Sequence, residues 1–200
     1  MSGAPTTGFT LVTPATWYRF DLAGRPALLH RRRLRRLVAD RLGPDPPRPG
    51  RPQLAEEVTD LLRASIAEAQ AQGAVHLAVC ADLVGGLPVS ASMLVHVRDR
   101  SADPTGGDLA RLADALGRDA EVVALPTGPA VRHRHRGAPA PGGHPVQVLE
   151  SEVVQYHLPL PGGDRWLMLT FSTPCLPVAE ALVELFDAIA GTVRWQHGPG

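Results

Sequence analysis

The sequence contains no lysine and no asparagine, and isoleucine stands only at positions 66 and 189. All 20 basic residues are therefore arginine. With 20 Gly and 20 Pro, this poverty in residues of AT-rich codons suggests a high-GC genome, so the preference for arginine is no sign of function by itself. Aromatics make up only 4% of the chain, which leaves Leu, Val and Ala to build the core. The two cysteines, Cys80 and Cys175, lie among apolar neighbours and read as reduced, buried thiols, too few for a disulfide framework. No run of 18 apolar residues occurs and no basic start leads into an apolar h-region. Neither a membrane span nor a signal peptide is expected, and the expected location is cytoplasmic.

What is present is enough for one domain: a chain of 200 residues buries a sizeable core without a staple. The formal net charge is zero, but residues 1–51 carry ten Arg against three acids and the remainder ten Arg against seventeen. Opposite charges within one domain attract each other, so the balance implies no general affinity for nucleic acid.

The C-terminal third is the most regular part. Residues 153–160 and 166–172 read as strands joined by Pro161-Gly162-Gly163-Asp164, where glycine supplies the positive φ of a reversal. Val154, Tyr156 and Leu158 fall on one face and Gln155 and His157 on the other. The second strand is largely apolar on both faces and is expected at the centre of the sheet. A helix follows, with Leu182, Leu185, Phe186, Ile189 and Val193 inward; Arg194 is expected to complement its dipole and Trp195 to pin its last turn.

Earlier in the chain, residues 1–8 read as a disordered tail and 9–196 as a single domain. Strands are expected at 9–12 and 17–21. A basic amphipathic helix over 27–42 leads into a stiff Pro-rich loop over 43–52. A helix over 53–72 stops at Gly73, and strands at 74–82 and 88–98 form a hairpin around Gly85-Gly86. The second of these alternates Val89, Ala91, Met93, Val95 and Val97 with Ser90, Ser92, His96 and Arg98, predicting one buried and one partly wet face. A short helix over 107–116, strands at 120–125 and 129–136, and a flexible loop at 137–143 precede a strand starting near His144. Hairpin links throughout predict an α+β fold in which helices pack on an antiparallel β-sheet.

The opening Phe9, Pro14 and Trp17, the antiparallel run, and the closing Leu169-Thr170-Phe171-Ser172 with its helix resemble the PsbP-like α/β/α sandwich family. The pattern resembles still more closely a set of uncharacterised actinobacterial proteins, some associated with type VII secretion neighbourhoods. The resemblance covers most of the chain, implies an α/β/α sandwich acting as a binding or assembly factor, and transfers no catalytic residue.

Three groups of residues could carry chemistry. His133 and His135, within Arg132-His133-Arg134-His135-Arg136, share one face of a strand and could present two imidazoles to a metal. A third ligand would have to come from His96, His144 or His157, and the interleaved arginines oppose a cation, so a solvated basic edge strand is the preferred reading. Cys175, near a helix start, could be a lowered-pKa nucleophile, but no Cys-His signature surrounds it and the inert reading is preferred. Arg31, Arg32, Arg33, Arg35 and Arg36 surround a helix stripe that could be a solvated face, a docking surface for an acidic protein, or a phosphate stripe. Without interleaved aromatics or a recognisable module, nucleic-acid binding is not expected.

The prolines at 46, 49 and 52, the Gly85-Gly86 and Gly142-Gly143 pairs, and Glu56-Glu57 read as a loop, turns and a solvated helix face. The expected protein is therefore a non-enzymatic binding or assembly factor, with no cofactor, a protein partner, and an interaction surface at Arg31, Arg32, Arg33, Arg35, Arg36, His133 and His135. The alternatives are a small metal-dependent enzyme using His133 and His135, or nucleic-acid binding by the Arg31–Arg36 helix.

Overall fold

The computed structural model describes residues 6–23, 34, 51–84, 87–100, 105–137 and 150–197. The strands are β1 (Thr6–Thr10), β2 (Tyr18–Asp21), β3 (Ala74–Val84), β4 (Leu87–Asp99), β5 (Ala120–Leu125), β6 (Gly128–Gly137), β7 (Ser151–Pro159), β8 (Arg165–Thr173) and β9 (Arg194–His197). The helices are α1 (Arg51–Ala71), α2 (Leu109–Leu116) and α3 (Ala179–Ala190), the last entered through a 3-10 turn at Leu176–Val178. Seven strands form one sheet in the order β2-β3-β4-β8-β7-β6-β5, every neighbouring pair antiparallel. The expected α+β class is the observed one. No helix of the described residues is long and apolar enough to cross a membrane.

Local chemistry accounts for the element boundaries. Gly73 closes α1 with φ +79°, and Gly162 and Gly163, at φ +103° and +81°, turn β7 into β8 as the hairpin requires. Asp108 caps α2, its carboxylate accepting the backbone N–H groups of Ala110 and Arg111 at 2.9 and 3.1 Å. β8 sits fourth of the seven strands, with Leu167, Leu169 and Phe171 buried on one face and buried Trp166 and half-buried Met168 on the other, followed on that second face by the partly accessible Thr170 and Ser172.

The sheet is covered by helices on both faces, because its two sets of alternating side chains feed different cores. On one face Met93, Val95, Val154, Tyr156, Leu158, Leu167, Leu169 and Phe171 pack beneath Val183, Phe186 and Ile189 of α3. Phe171 and Phe186 stack with ring centroids 4.9 Å apart, and Trp17 meets Phe186 edge-on at 6.3 Å. The opposite face carries two smaller cores at its two ends. Ile66 and Ala69 of α1 cover Phe20 and Leu77 at the β2–β3 end, joined by Leu34; Leu112 and Ala113 of α2 cover Val131 and Trp166 towards β6.

Three expectations are corrected. Residues 6–8, expected in a disordered tail, begin β1, where Thr6 pairs with His197 and Gly8 with Gln196. Residues Arg194 and Trp195 do not finish the last helix: α3 ends before Gly191, and the chain turns into β9, which pairs with β1 as a separate two-stranded ribbon. Thr192 fixes the turn, its hydroxyl donating to Ile189 C=O at 2.6 Å and accepting from Val12 N–H at 2.9 Å. The strand bearing His133 and His135 is not an edge strand either: β6 lies between β5 and β7.

Candidate functional site

β6 carries its charged and its imidazole side chains on opposite faces, since successive residues of a strand point in opposite directions. Arg132, Arg134 and Arg136 face α3, and His133 and His135 face the side of α1 and α2.

On the α3 face the arginines are consumed by ion pairs. Arg132 grips Asp187 with Nε to Oδ1 at 3.0 Å and Nη2 to Oδ2 at 3.3 Å, and its Nη1 also reaches Glu121 at 3.3 Å. The Tyr156 hydroxyl donates to the same Asp187 carboxylate. Arg134 donates through Nε to Glu152 at 2.7 Å and through Nη1 to Glu180 at 3.0 Å, and Arg136 adds a 3.4 Å contact to Glu152. Glu180 and Asp187 are seven residues apart, two helical turns along one face of α3, which is why one strand can hold both. Burial opposes the Arg132 charge, but the hydrogen bonds to Asp187 and Tyr156 outweigh it and raise its pKa. For Arg134 the hydrogen bonds to Glu180 and then Glu152 raise the pKa in the same way. Burial first, then the bond to Asp187, pushes the Tyr156 hydroxyl well above its ordinary pKa. An open depression over β5 and β6 is lined by Arg118, Arg132, Arg134, Arg136 and the acids Asp119, Glu121 and Glu152; Arg132, Arg134 and Arg136 each already hold a carboxylate.

On the opposite face the pairing register assembles a polar strip across the middle of the sheet. One row runs Leu94, Thr170, Gln155, His133 over β4, β8, β7 and β6; the next runs Ser92, Ser172, Val153, His135. Neighbouring positions in a row are about 4.8 Å apart, so the strip is roughly 15 Å wide. Ser92 and Ser172 hydroxyls hydrogen-bond at 2.8 Å, and the His133 and His135 rings lie side by side with centroids 4.7 Å apart. Every residue of these rows except buried Val153 is partly accessible.

The imidazoles are poorly served by their surroundings. His96 is 8% exposed, and its Nε2 has no hydrogen-bond partner among the described residues; His133 Nδ1 is in the same position. Burial, reinforced by Arg98, lowers the His96 pKa. Burial and then the neighbouring His135 lower that of His133, partly offset by Gln155 and Asp119. Both rings are therefore held towards the neutral form, with polar nitrogens out of water.

No protein-family model matches the chain, and no curated protein matches it. The site has to be read from its own geometry.

The structure brings His133 and His135 together as the spacing required. Among the described residues no group of three His, Cys, Asp or Glu forms a metal-binding cluster, so His96 and His157 do not complete a site with them, and His144 lies outside the described residues. Arg31, Arg32, Arg33, Arg35 and Arg36, with the Pro-rich loop over 43–50 and most of the 137–143 loop, also lie outside them. Cys175 is half-buried and its Sγ accepts the Ser90 N–H at 3.3 Å. The residues missed by sequence reasoning are Thr170, Gln155, Ser172, Glu152 and Asp187. Thr170, Ser172 and Gln155 share one face across β8 and β7, while Glu152 and Asp187 meet the arginines on the other; both groupings are legible only once the register and the packing of α3 align them.

Proposed function

We propose that this chain is a non-enzymatic cytoplasmic accessory protein that binds another protein through the polar strip between α1 and α2. The observation that carries the reading is the set of accessible polar side chains that the register aligns, Thr170, Gln155, Ser172, His133 and His135, with a buried His133 nitrogen among them that has no hydrogen-bond partner among the described residues. Leaving a buried polar atom without a hydrogen bond costs about 1–3 kcal/mol, a cost that a bound partner's polar groups would remove. The strip is shallow, carries hydroxyl, amide and imidazole groups, and lies on a sheet whose two flanking helices would frame an extended or flat protein surface. A place beside a secretion or assembly system is supported by the resemblance to the PsbP-like sandwich family and to actinobacterial type VII secretion neighbours. The metal-enzyme reading rests on the 4.7 Å approach of His133 and His135 alone.

The test has two arms. A partner is recovered from the cells that make the protein, and its affinity for the purified chain is measured against Gln155→Arg and Thr170→Arg. The expected result is a loss of at least about tenfold, near 1.4 kcal/mol, for each, with Glu184→Gln on the far side unchanged. Equal affinity for all four proteins would remove the strip from the interface. Stoichiometric Zn, Fe, Mn or Ni in the purified protein, lost on His133→Ala together with a catalysed turnover, would replace the reading with the metal enzyme.

A further inference from the structure

We infer that a second copy of this chain pairs with the outer edge of β5, antiparallel and about a two-fold axis at Val122, extending the seven-stranded sheet into a continuous dimeric one. The inference starts from the register. Arg134 N–H donates to Asp119 C=O at 3.1 Å, one step beyond the Ala120↔His133 pair. Hydrogen-bonded pairs alternate with non-hydrogen-bonded ones in an antiparallel ladder, so Glu121, Val123 and Leu125 direct their amides at β6 and Ala120, Val122 and Ala124 direct theirs away. The Ala120 N–H is taken by Gly117 C=O at 3.0 Å. That leaves Ala120 C=O and both groups of Val122 and Ala124 along the edge, with no partner among the described residues.

This edge has none of the usual protections. Natural edge strands are shortened, bulged, or marked by Lys or Pro. The other edge, β2, has only four residues and carries Arg19 and Asp21. β5 has six residues without Pro or irregular register, and its single charge, Glu121, is held by Arg132. Val122 is 48% exposed, one of only two exposed large hydrophobics among the described residues, the other being Val12.

The segment is complementary to itself. With the axis at Val122, the two Val122 residues exchange N–H and C=O bonds, and each Ala124 N–H meets the Ala120 C=O of the second copy. Val122 packs on Val122, Ala120 on Ala124, and Glu121 faces Val123. The two Glu121 carboxylates attach to backbone positions about 8 Å apart, so no like charges stand opposite one another. The arrangement is isologous and closes, so it stops at a dimer.

Sedimentation equilibrium on the full chain at about 100 μM is expected to give a dimer. Val122→Pro deletes only the outward N–H and Val122→Lys places a charge on the edge; both are expected to weaken self-association at least tenfold while circular dichroism and Tm stay near wild type. Val122→Cys is expected to oxidise to a covalent dimer, because directly opposed strand positions about 5.5 Å apart suit a disulfide, whereas the wild-type Cys80 and Cys175 give none. A monomeric wild type would overturn the inference. So would a dimer that persists in both the Pro and Lys variants, or one in which Val122→Cys fails to cross-link. If either substitution disturbs the fold, the Cys cross-link in the dimer still decides.

Discussion

The two faces of this sheet are built from the same strands and solve the burial of polar groups in opposite ways. Under α3 each buried polar group is answered: Glu152 is 3% exposed and bound by Arg134 and Arg136, and the Tyr156 hydroxyl and Arg132 share Asp187. On the other face His96 is nearly as buried, at 8% exposed, and its Nε2 is unanswered among the described residues. Burial alone therefore does not separate scaffold from surface here; the completeness of hydrogen bonding does. A saturated network fixes one packing arrangement, and an incomplete one leaves groups that gain from an outside partner.

The contrast is broken hardest at Phe186. Its ring is fully buried between stacked Phe171 and edge-on Trp17. Phe186→Ala is expected to cost about 3–5 kcal/mol in urea unfolding, against under about 0.5 kcal/mol for Thr170→Ala on the opposite face of the central strand. Comparable losses from both would mean that the polar strip is as structural as the aromatic core. Next in size is Arg134→Ala, which leaves the buried Glu152 carboxylate with only the exposed Arg136 at 3.4 Å. Removing one partner of a buried pair costs about 3–5 kcal/mol; the half-open position of Arg134 reduces the expectation to roughly 2 kcal/mol. Arg134→Ala combined with Glu152→Leu should recover much of that loss, since the uncompensated charge goes with it. A double variant no more stable than Arg134→Ala would show that the arginine acts through packing and not through charge.

How far the sequence foretold this divides along the same line. Elements and faces came from local patterns: the Val154, Tyr156 and Leu158 alternation, the glycine hairpin at 162 and 163, and the largely apolar faces of β8 were enough to place the core strand. What sequence reasoning could not reach was register. Nothing in Arg132-His133-Arg134-His135-Arg136 says that another strand lies outside it, or that Glu180 and Asp187, some fifty residues later, arrive opposite the arginines. Arg-rich alternation therefore read as a solvated edge when it is an internal clamp. The C-terminal error has a similar origin: Val193 and Trp195 continue a plausible helical stripe, and only the long-range pairing of β9 with β1 ends it at Gly191. His133 and His135 do lie together as one pair, but Thr170, Gln155 and Ser172 became their neighbours only through two separate strand pairings, β6 with β7 and β7 with β8.

The smallest effect expected, and the most specific to the unsatisfied face, is on pH. His96 and His133 have folded pKa values below the ordinary 6.5, and burial is the largest cause for each. The unfolded chain therefore takes up protons near pH 6.5 that the folded chain refuses until lower pH. By linkage, their contribution to stability is full above pH 6.5, falls as the pH drops through that value, and levels off below the folded pKa. After burial the next cause is Arg98 on its own strand, which also lowers the pKa, and the opposed Ala74 and Met168 bring no charge, so among the described residues no carboxylate reverses the sign. Tm is expected to fall between pH 7.5 and pH 5, and His96→Gln to flatten part of that slope while Glu180→Gln, on the saturated face, leaves it in place. His76, whose pKa is lowered chiefly by burial against the opposing pull of Asp21, accounts for part of what remains. A slope unchanged in His96→Gln would mean that this imidazole is already protonated or bonded in the fold, and the difference between the two faces would then lose its basis.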